Sequence, residues 1–288
     1  MSIASLIGVG IEAPAPPTSP LSRLRWALAD GLVMVKRNLS HIRRVPEKIL
    51  NFVITPIIFV LLFAYVFGSA IDLPDGGNYR EFLMPGIFVQ SMIFTISTTA
   101  VGVADDMSKG IIDRFRSLPM ARSAALVGRT GADLVQSLLG IAVMCACGLA
   151  VGWRPHDGLW STLGGFGILL VLGYAMSWLG AFLGLVIRAP EAAQVAVTSL
   201  LFPLTFAANT FVPTDGMPNW LQHVADWNPI SAAVAACRDL FGSPGGTAGG
   251  DAPLPLEHPV AATLIWSAVI LLVFLPLAVR QYRTATSK

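Results

Sequence analysis

The sequence predicts an all-α integral membrane protein built on six transmembrane helices, and three observations carry that reading. Only 12% of the 288 residues are charged, about half of the roughly 25% usual in a soluble domain. Hydrophobic residues make up 54%, and mean hydropathy is +0.67. The apolar residues also gather into long runs. Six of these reach the roughly 20 residues that cross a hydrocarbon core of about 30 Å at about 1.5 Å per residue. Too little polar sequence remains to build a soluble domain.

Residues 1–20 contain Pro14, Pro16, Pro17 and Pro20 and no basic stretch leading into a long apolar core. They read as a disordered cytoplasmic tail rather than a signal peptide, which leaves insertion to the first span. Residues 21–288 form the membrane domain. In 21–45, Leu21, Leu24, Leu28, Leu32, Val35, Leu39 and Ile42 recur at three- and four-residue spacing, with Arg23, Asp30, Arg37 and Arg44 on another face. This predicts an amphipathic helix ending before Pro46. Being basic and next to a span, it is expected in the inner headgroup region; packing on a cytosolic partner is the other reading.

The six spans are expected at about 51–71, 82–103, 124–151, 163–187, 192–212 and 259–279. Residues 230–240 are apolar but too few to cross, so the outer connection 213–257 is expected to hold a re-entrant or interfacial segment. Orientation follows from Lys and Arg. With the N-terminus inside, sixteen of the nineteen fall on the cytoplasmic side, and only Arg80, Arg154 and Arg238 lie outside. Both termini are therefore predicted to be cytoplasmic. Asp72, Asp75 and Glu81 make the first outer connection acidic, and Trp220 and Trp227 in the last one suit a membrane interface.

Few residue patterns here support chemistry. Cys145, Cys147 and Cys237 are an odd count with no histidine beside them, and Cys145 and Cys147 lie on different faces of one helix. Cys145 and Cys147 read as two small buried hydrophobes, with no metal site. His41, His156, His223 and His258 are scattered, so no catalytic set forms. No Asp, Glu, Lys or His sits at the centre of a span, which argues against proton or ion coupling. Asp133, four residues after Arg129, reads as a helix ion pair near the cytoplasmic end. The four lysines, Lys36, Lys48, Lys109 and Lys288, follow Val35, Glu47, Ser108 and Ser287. With no Gly-Lys pair there is no P-loop, and any ATP-driven work must come from a separate polypeptide.

Polar groups inside the spans are uncharged: Thr95, Ser97, Thr98 and Thr99 in the second, Gln136 and Ser137 in the third, and Gln194, Thr198, Ser199, Thr205 and Asn209 in the fifth. Hydroxyls there commonly bond their own backbone or a neighbouring helix. Gln194 and Asn209 are costlier to bury and point more strongly to a pathway. In the second cytoplasmic connection, Met107, Ile111, Phe115 and Leu118 share a helical face before Pro119, with Asp106, Lys109, Asp113, Arg114 and Arg116 around them. Such a helix suits docking into a groove of a soluble subunit. It is equally the pattern of an inner loop whose basic residues set topology.

Four motifs in order resemble a known family. The second span opens Phe82-Leu83-Met84-Pro85-Gly86-Ile87-Phe88-Val89-Gln90, and the connection after it reads Lys109-Gly110-Ile111-Ile112-Asp113-Arg114-Phe115-Arg116-Ser117-Leu118-Pro119-Met120. Asn209-Thr210-Phe211-Val212-Pro213-Thr214 and Met217-Pro218-Asn219-Trp220-Leu221-Gln222 follow, then Asn228-Pro229-Ile230 and Arg238. From about residue 25 onward the chain resembles the type-two ATP-binding-cassette permeases, nearest the daunorubicin/doxorubicin-resistance group of actinomycetes.

The resemblance implies a half-transporter: a transport subunit that is not itself an enzyme, paired with a second permease copy, identical or not, in the cell membrane. Two copies of a separate cytosolic ATPase would bind the ATP and magnesium, and this chain would hold no cofactor. It implies that 105–120 is the coupling helix docking on the ATPase, with Lys109, Ile111, Asp113, Arg114, Phe115, Arg116, Leu118 and Pro119 as its working residues. It also implies that 21–45 is the elbow helix and that 213–257 contains re-entrant helices. The expected cargo is a hydrophobic or amphiphilic small molecule, with no nucleic acid involved. A route at the dimer seam is expected to use Thr95, Thr98, Phe202, Phe206 and Asn209, because mixed aromatic and uncharged polar groups suit such a cargo. Export of a lipid, polyketide or glycan precursor, gradient-driven secondary transport and a membrane enzyme remain the other readings.

Overall fold

The computed structural model describes residues 33, 35–36, 54, 57–67, 78–110, 124–211, 214, 217–245 and 253–285. Every element among them is helical. A π-helical stretch, Leu62–Phe67, lies inside the first expected span. Then come α1 (Tyr79–Ser108), α2 (Ala124–Val151), α3 (Gly158–Ile187), α4 (Pro190–Phe206), α5 (Asn219–Asp226), α6 (Pro229–Phe241), α7 (Leu254–Glu257) and α8 (Pro259–Ala285). Among the described residues, α1, α2, α3 and α8 are long and apolar enough to cross a bilayer.

Local chemistry sets several boundaries. Asn78 caps α1, its side chain accepting from the Arg80 amide at 3.0 Å. Asn228 caps α6 in the same way, accepting from the Ile230 amide at 2.9 Å, with Pro229 at the first helical position. Gly242 ends α6 in the left-handed region at φ 65°, a conformation that glycine adopts without steric cost. The fifth expected span, 192–212, is shorter in the structure. Pro203 lies in its last turn and the chain leaves the helix after Phe206, so α4 has 17 residues. The run at 230–240 is the 13-residue α6, which rises about 20 Å and is too short to span.

The bundle is centred on α1 and α3, which share its most extensive helix pairing. A Cβ on Gly180 or Gly184 would overlap the carbonyl oxygen of Ile96 or Ala100. These two glycines, four residues apart, therefore let the α3 backbone lie directly on α1, as small residues do in membrane interiors. Around this pair the apolar window of α1 is 72% buried, whereas that of α8 is 11% buried. The outward row of α8, including Leu264, Ile265, Val269 and Leu272, is exposed and fits contact with lipid.

Two apolar clusters mark the ends. Where α1 begins, Phe88, Trp153, Phe166 and Phe241 pack mostly edge to face at centroid distances of 5.1–5.9 Å, pinning α6 onto α1 and α3. At the opposite end, Val103, Leu126, Trp178, Ala181, Leu185, Ala278 and Tyr282 join α1, α2, α3 and α8. Cys237 is fully buried, while Cys145 and Cys147 are only partly so. The pair read as buried hydrophobes is thus only half-buried, because α2 lies near the edge of the bundle.

Candidate functional site

At the end where α1 begins, Arg238 of α6 is buried, with 1% of its surface exposed. Its Nε donates to the Phe82 carbonyl at 3.1 Å, and one terminal nitrogen donates to the Asn209 carbonyl at 2.9 Å and, at 3.5 Å, to that of Thr210. Its guanidinium also lies over the Phe82 ring. A guanidinium does not lose its proton in a protein, so a fixed cation joins α6, the start of α1 and the turn after α4. Beside it the Tyr79 hydroxyl donates to the Phe211 carbonyl at 3.0 Å. A Cβ on Gly86 would overlap the Thr210 carbonyl, so the α1 and post-α4 backbones touch here. Sequence reading placed Arg238 among outer charges and in a family motif; a lone arginine in the apolar run of α6 was the available sign of this role.

Along the side of the bundle, α4 is attached by a narrow stripe. Ala193, Val197, Leu201 and Thr205, each four residues apart, are its buried positions. Gln194, Thr198 and Ser199 are exposed on the other faces. Ser97 of α1 donates to Gln194 Oε1 at 3.2 Å, and Gln194 Nε2 donates to Thr198 Oγ1 at 3.2 Å. A polar strip therefore runs between α1 and the open side of α4. The five residues expected to line a route do not form one surface within the chain. Thr98 faces outward with its hydroxyl bonded to the Thr95 carbonyl at 3.0 Å, and Thr95 itself is buried. Phe202 and Phe206 are 62% and 53% exposed and pack ring to ring at 4.5 Å. Asn209 is partly buried: its backbone amide donates to Ser231 Oγ at 3.2 Å, and its Oδ1 has no hydrogen-bond partner among the described residues.

An aromatic ladder ties this region to the helical stretch at 57–67. Phe59 stacks on Phe63 at 5.7 Å, Phe63 on Phe211 at 4.5 Å, and Phe211 meets Phe206 at 5.8 Å. Leu61, Leu62, Tyr65 and Val66 are exposed beside it. The open side of α4 and the exposed side of the 57–67 stretch are thus neighbours.

At the far end of α1, Asp133 of α2 is buried. It accepts from the Thr99 hydroxyl at 2.7 Å and pairs with Arg129 at 3.5 Å, and Arg129 also donates to the Thr98 carbonyl at 3.1 Å. The expected ion pair within α2 is present, and it additionally bridges to α1, a link between residues 34 apart that local spacing does not reveal. Lys109, the C-cap of α1, pairs with Asp105 at 2.7 Å. Asp105's hydrogen bond and then its charge hold the lysine above its ordinary pKa. Ile111, Asp113, Arg114, Phe115, Arg116, Leu118 and Pro119 lie outside the described residues, as does most of the expected helix at 21–45.

Comparison with known proteins adds the family context. The model of the ABC-2 type transporter family matches residues 31–241. A daunorubicin resistance ABC transporter permease protein of Streptomyces coeruleorubidus is 34% identical over 92% of this chain and 95% of its own length. A probable doxorubicin resistance ABC transporter permease protein of Mycobacterium tuberculosis, DrrC, is 26% identical over 94% of this chain and 96% of its own. A second from that organism, DrrB, is 26% identical over 76% of this chain and 77% of its own.

Proposed function

The chain belongs to the ABC-2 type transporter family, and from that premise we propose that this multi-pass plasma-membrane protein is the permease subunit of an ATP-driven exporter. Its cargo is a hydrophobic or amphiphilic molecule of the drug type named for its relatives. Two copies of a separate cytosolic ATPase bind ATP and magnesium, and a second permease copy completes the pore. The six spans are the one containing residues 57–67 together with α1, α2, α3, α4 and α8, with both termini in the cytoplasm. Residues 105–120 dock on the ATPase, with Phe115 and Leu118 as apolar anchors.

The observation that carries this reading is α4. Gln194, Thr198 and Ser199 on its open side suit neither lipid nor an isolated monomer, because a polar side chain facing hydrocarbon is costly. A second permease copy set against α4 and the first span covers them, and brings two polar strips together with the paired Phe202 and Phe206 rings around one route. Thr95 and Asn209, turned further inward, take part by bonding the walls of that route.

The test is co-purification with a cassette ATPase encoded beside this chain, followed by drug-stimulated, vanadate-sensitive ATP hydrolysis and uptake into inverted vesicles. Replacing Phe115 and Arg116 together is expected to abolish ATPase capture and efflux while the chain stays inserted. Unchanged capture and efflux would overturn the docking role. Asp133 favours a second reading, gradient-driven transport, because a buried carboxylate in a span is a usual proton site. Its pairing with Arg129 and Thr99 weighs against this. Vanadate-insensitive transport that collapses with the proton gradient would favour it.

A further inference from the structure

The two helices that flank residues 109–123 are cross-tied well inside the bundle by a set of polar contacts. Thr99 is fully buried on α1, nine positions before the end of that helix at Ser108, and Asp133 lies nine positions after the start of α2 at Ala124. At about 1.5 Å per residue, both stand about 13 Å from their helix ends, at matching heights on antiparallel neighbours. Three separate features meet there. The Thr99 hydroxyl donates to Asp133 Oδ2 at 2.7 Å. Arg129, one turn below Asp133, donates across to the Thr98 carbonyl at 3.1 Å while pairing with Asp133 at 3.5 Å. Gly102 supplies the opening: a Cβ there would overlap the Arg129 guanidinium.

We propose that Thr98, Thr99 and Gly102 of α1, with Arg129 and Asp133 of α2, form a brace that makes the two helices flanking residues 109–123 move as one lever. The inference rests on the exporter reading, which makes that connection the point where the ATPase pushes. A push on an untied connection is dissipated by sliding of α1 against α2. A charge-assisted cross-tie in a low-dielectric setting resists that sliding, since breaking it strands a buried carboxylate. The two bonds attach to α1 on successive residues, one at the Thr99 side chain and one at the Thr98 backbone, so sliding or rotation of one helix against the other strains both. All five are positioning residues: none needs to touch cargo or nucleotide.

Gly102→Ala separates the brace from the fold. The three atoms nearest the added methyl all belong to the movable end of Arg129, and Ala is the better helix former, so the variant folds while Arg129 is expelled from its notch. Thr99→Val removes the cross-helix hydroxyl at near-constant shape, and Thr99→Ser restores it. The full permease–ATPase complex is reconstituted in proteoliposomes, and daunorubicin transported is divided by ATP hydrolysed. Gly102→Ala and Thr99→Val are expected to lower that ratio by about 3- to 30-fold with hydrolysis retained, and Thr99→Ser to keep it. In parallel, spin labels at residues 108 and 125, in a chain with Cys145, Cys147 and Cys237 replaced by Ala, report the distance between the lever ends. One narrow distribution is expected for the unaltered brace and a broad one for the two breaking variants. If both breaking variants keep the unaltered ratio or the narrow distribution, or if Thr99→Ser fails as badly as Thr99→Val, the brace is overturned. A parent complex that neither hydrolyses ATP nor moves drug sinks the exporter reading instead, and the spin-label distances then decide the brace by themselves.

Discussion

The guanidinium carbon of Arg238 lies 3.6 Å from the centroid of the Phe82 ring, and the same side chain donates to the Phe82 carbonyl at 3.1 Å. One residue is thus gripped from its face and from its backbone by a cation arriving from α6, 156 positions later in the chain.

Truncating this cation removes a buried donor from the carbonyls of Phe82, Asn209 and Thr210. Arg238→Ala is expected to destabilise the folded protein by about 2–4 kcal/mol, seen as a lowered melting temperature in detergent. Arg238→Lys rescues only part of it, because an ammonium lacks the planar fork that reaches both segments at once. Equal melting of Arg238→Ala and the parent would refute the clamp.

The direct backbone contact between α1 and α3 is testable with two glycines of opposite surroundings. Gly180→Val forces side-chain atoms onto the Ile96 carbonyl and is expected to cost about 3 kcal/mol, with loss of the monodisperse peak in size-exclusion chromatography. Among the described residues nothing lies within 4 Å of the missing Cβ of Gly167, so Gly167→Ala is expected to gain about 0.5–1 kcal/mol. Similar behaviour of the two variants would contradict the packing described.

The polar strip on α4 predicts a transport phenotype without a folding one. Gln194→Leu removes the acceptor of Ser97 and the donor to Thr198 on an exposed face. Efflux is expected to fall by about 2- to 10-fold, the worth of one net hydrogen bond, with melting unchanged. Efflux at the parental level would place the route elsewhere.

The Lys109–Asp105 pair predicts a null result in stability against pH. Its hydrogen bond and charge raise the lysine's pKa in the fold. A cation so raised contributes fully below its unfolded pKa and loses the contribution only as pH rises through the folded one. Both partners are solvent-facing, so screening keeps the contribution small. Lys109→Met is expected to melt in parallel with the parent from about pH 6 to 9, below the ordinary lysine range. A difference opening within that window would count against this account.

The long helices were legible because each carries an unbroken apolar run: the windows at 82–103, 124–151, 163–187 and 259–279 all fall inside α1, α2, α3 and α8. Helix ends were less so. Apolar composition continues through Ala207, Ala208 and Phe211, but Pro203 and the turn at 207–210 end α4 earlier. Residues 230–240 were readable as too short to cross, since length alone decides it. What escaped was every contact between distant segments. Asp133 shows its near partner Arg129 at helical spacing, whereas Thr99 belongs to another element. Arg238 looks like any outer charge until its three carbonyls are seen around it. Phe202 and Phe206 do share an exposed face, but Thr95 is turned inward, because helical periodicity gives relative angles within one element and not which neighbour each face meets.

The brevity of α4 also bears on the surrounding lipid. Its 17 residues rise about 25 Å, several ångströms less than the hydrocarbon slab of about 30 Å, while α1 and α3, at 30 residues each, overshoot it. In the six-span arrangement proposed above, any acyl chains that reach α4 past the second permease copy shorten or splay to meet it, at a cost that grows with each ångström of mismatch. In that arrangement bilayer thickness is coupled to the helix that bears the polar strip, so that acyl-chain length becomes a physical input to turnover.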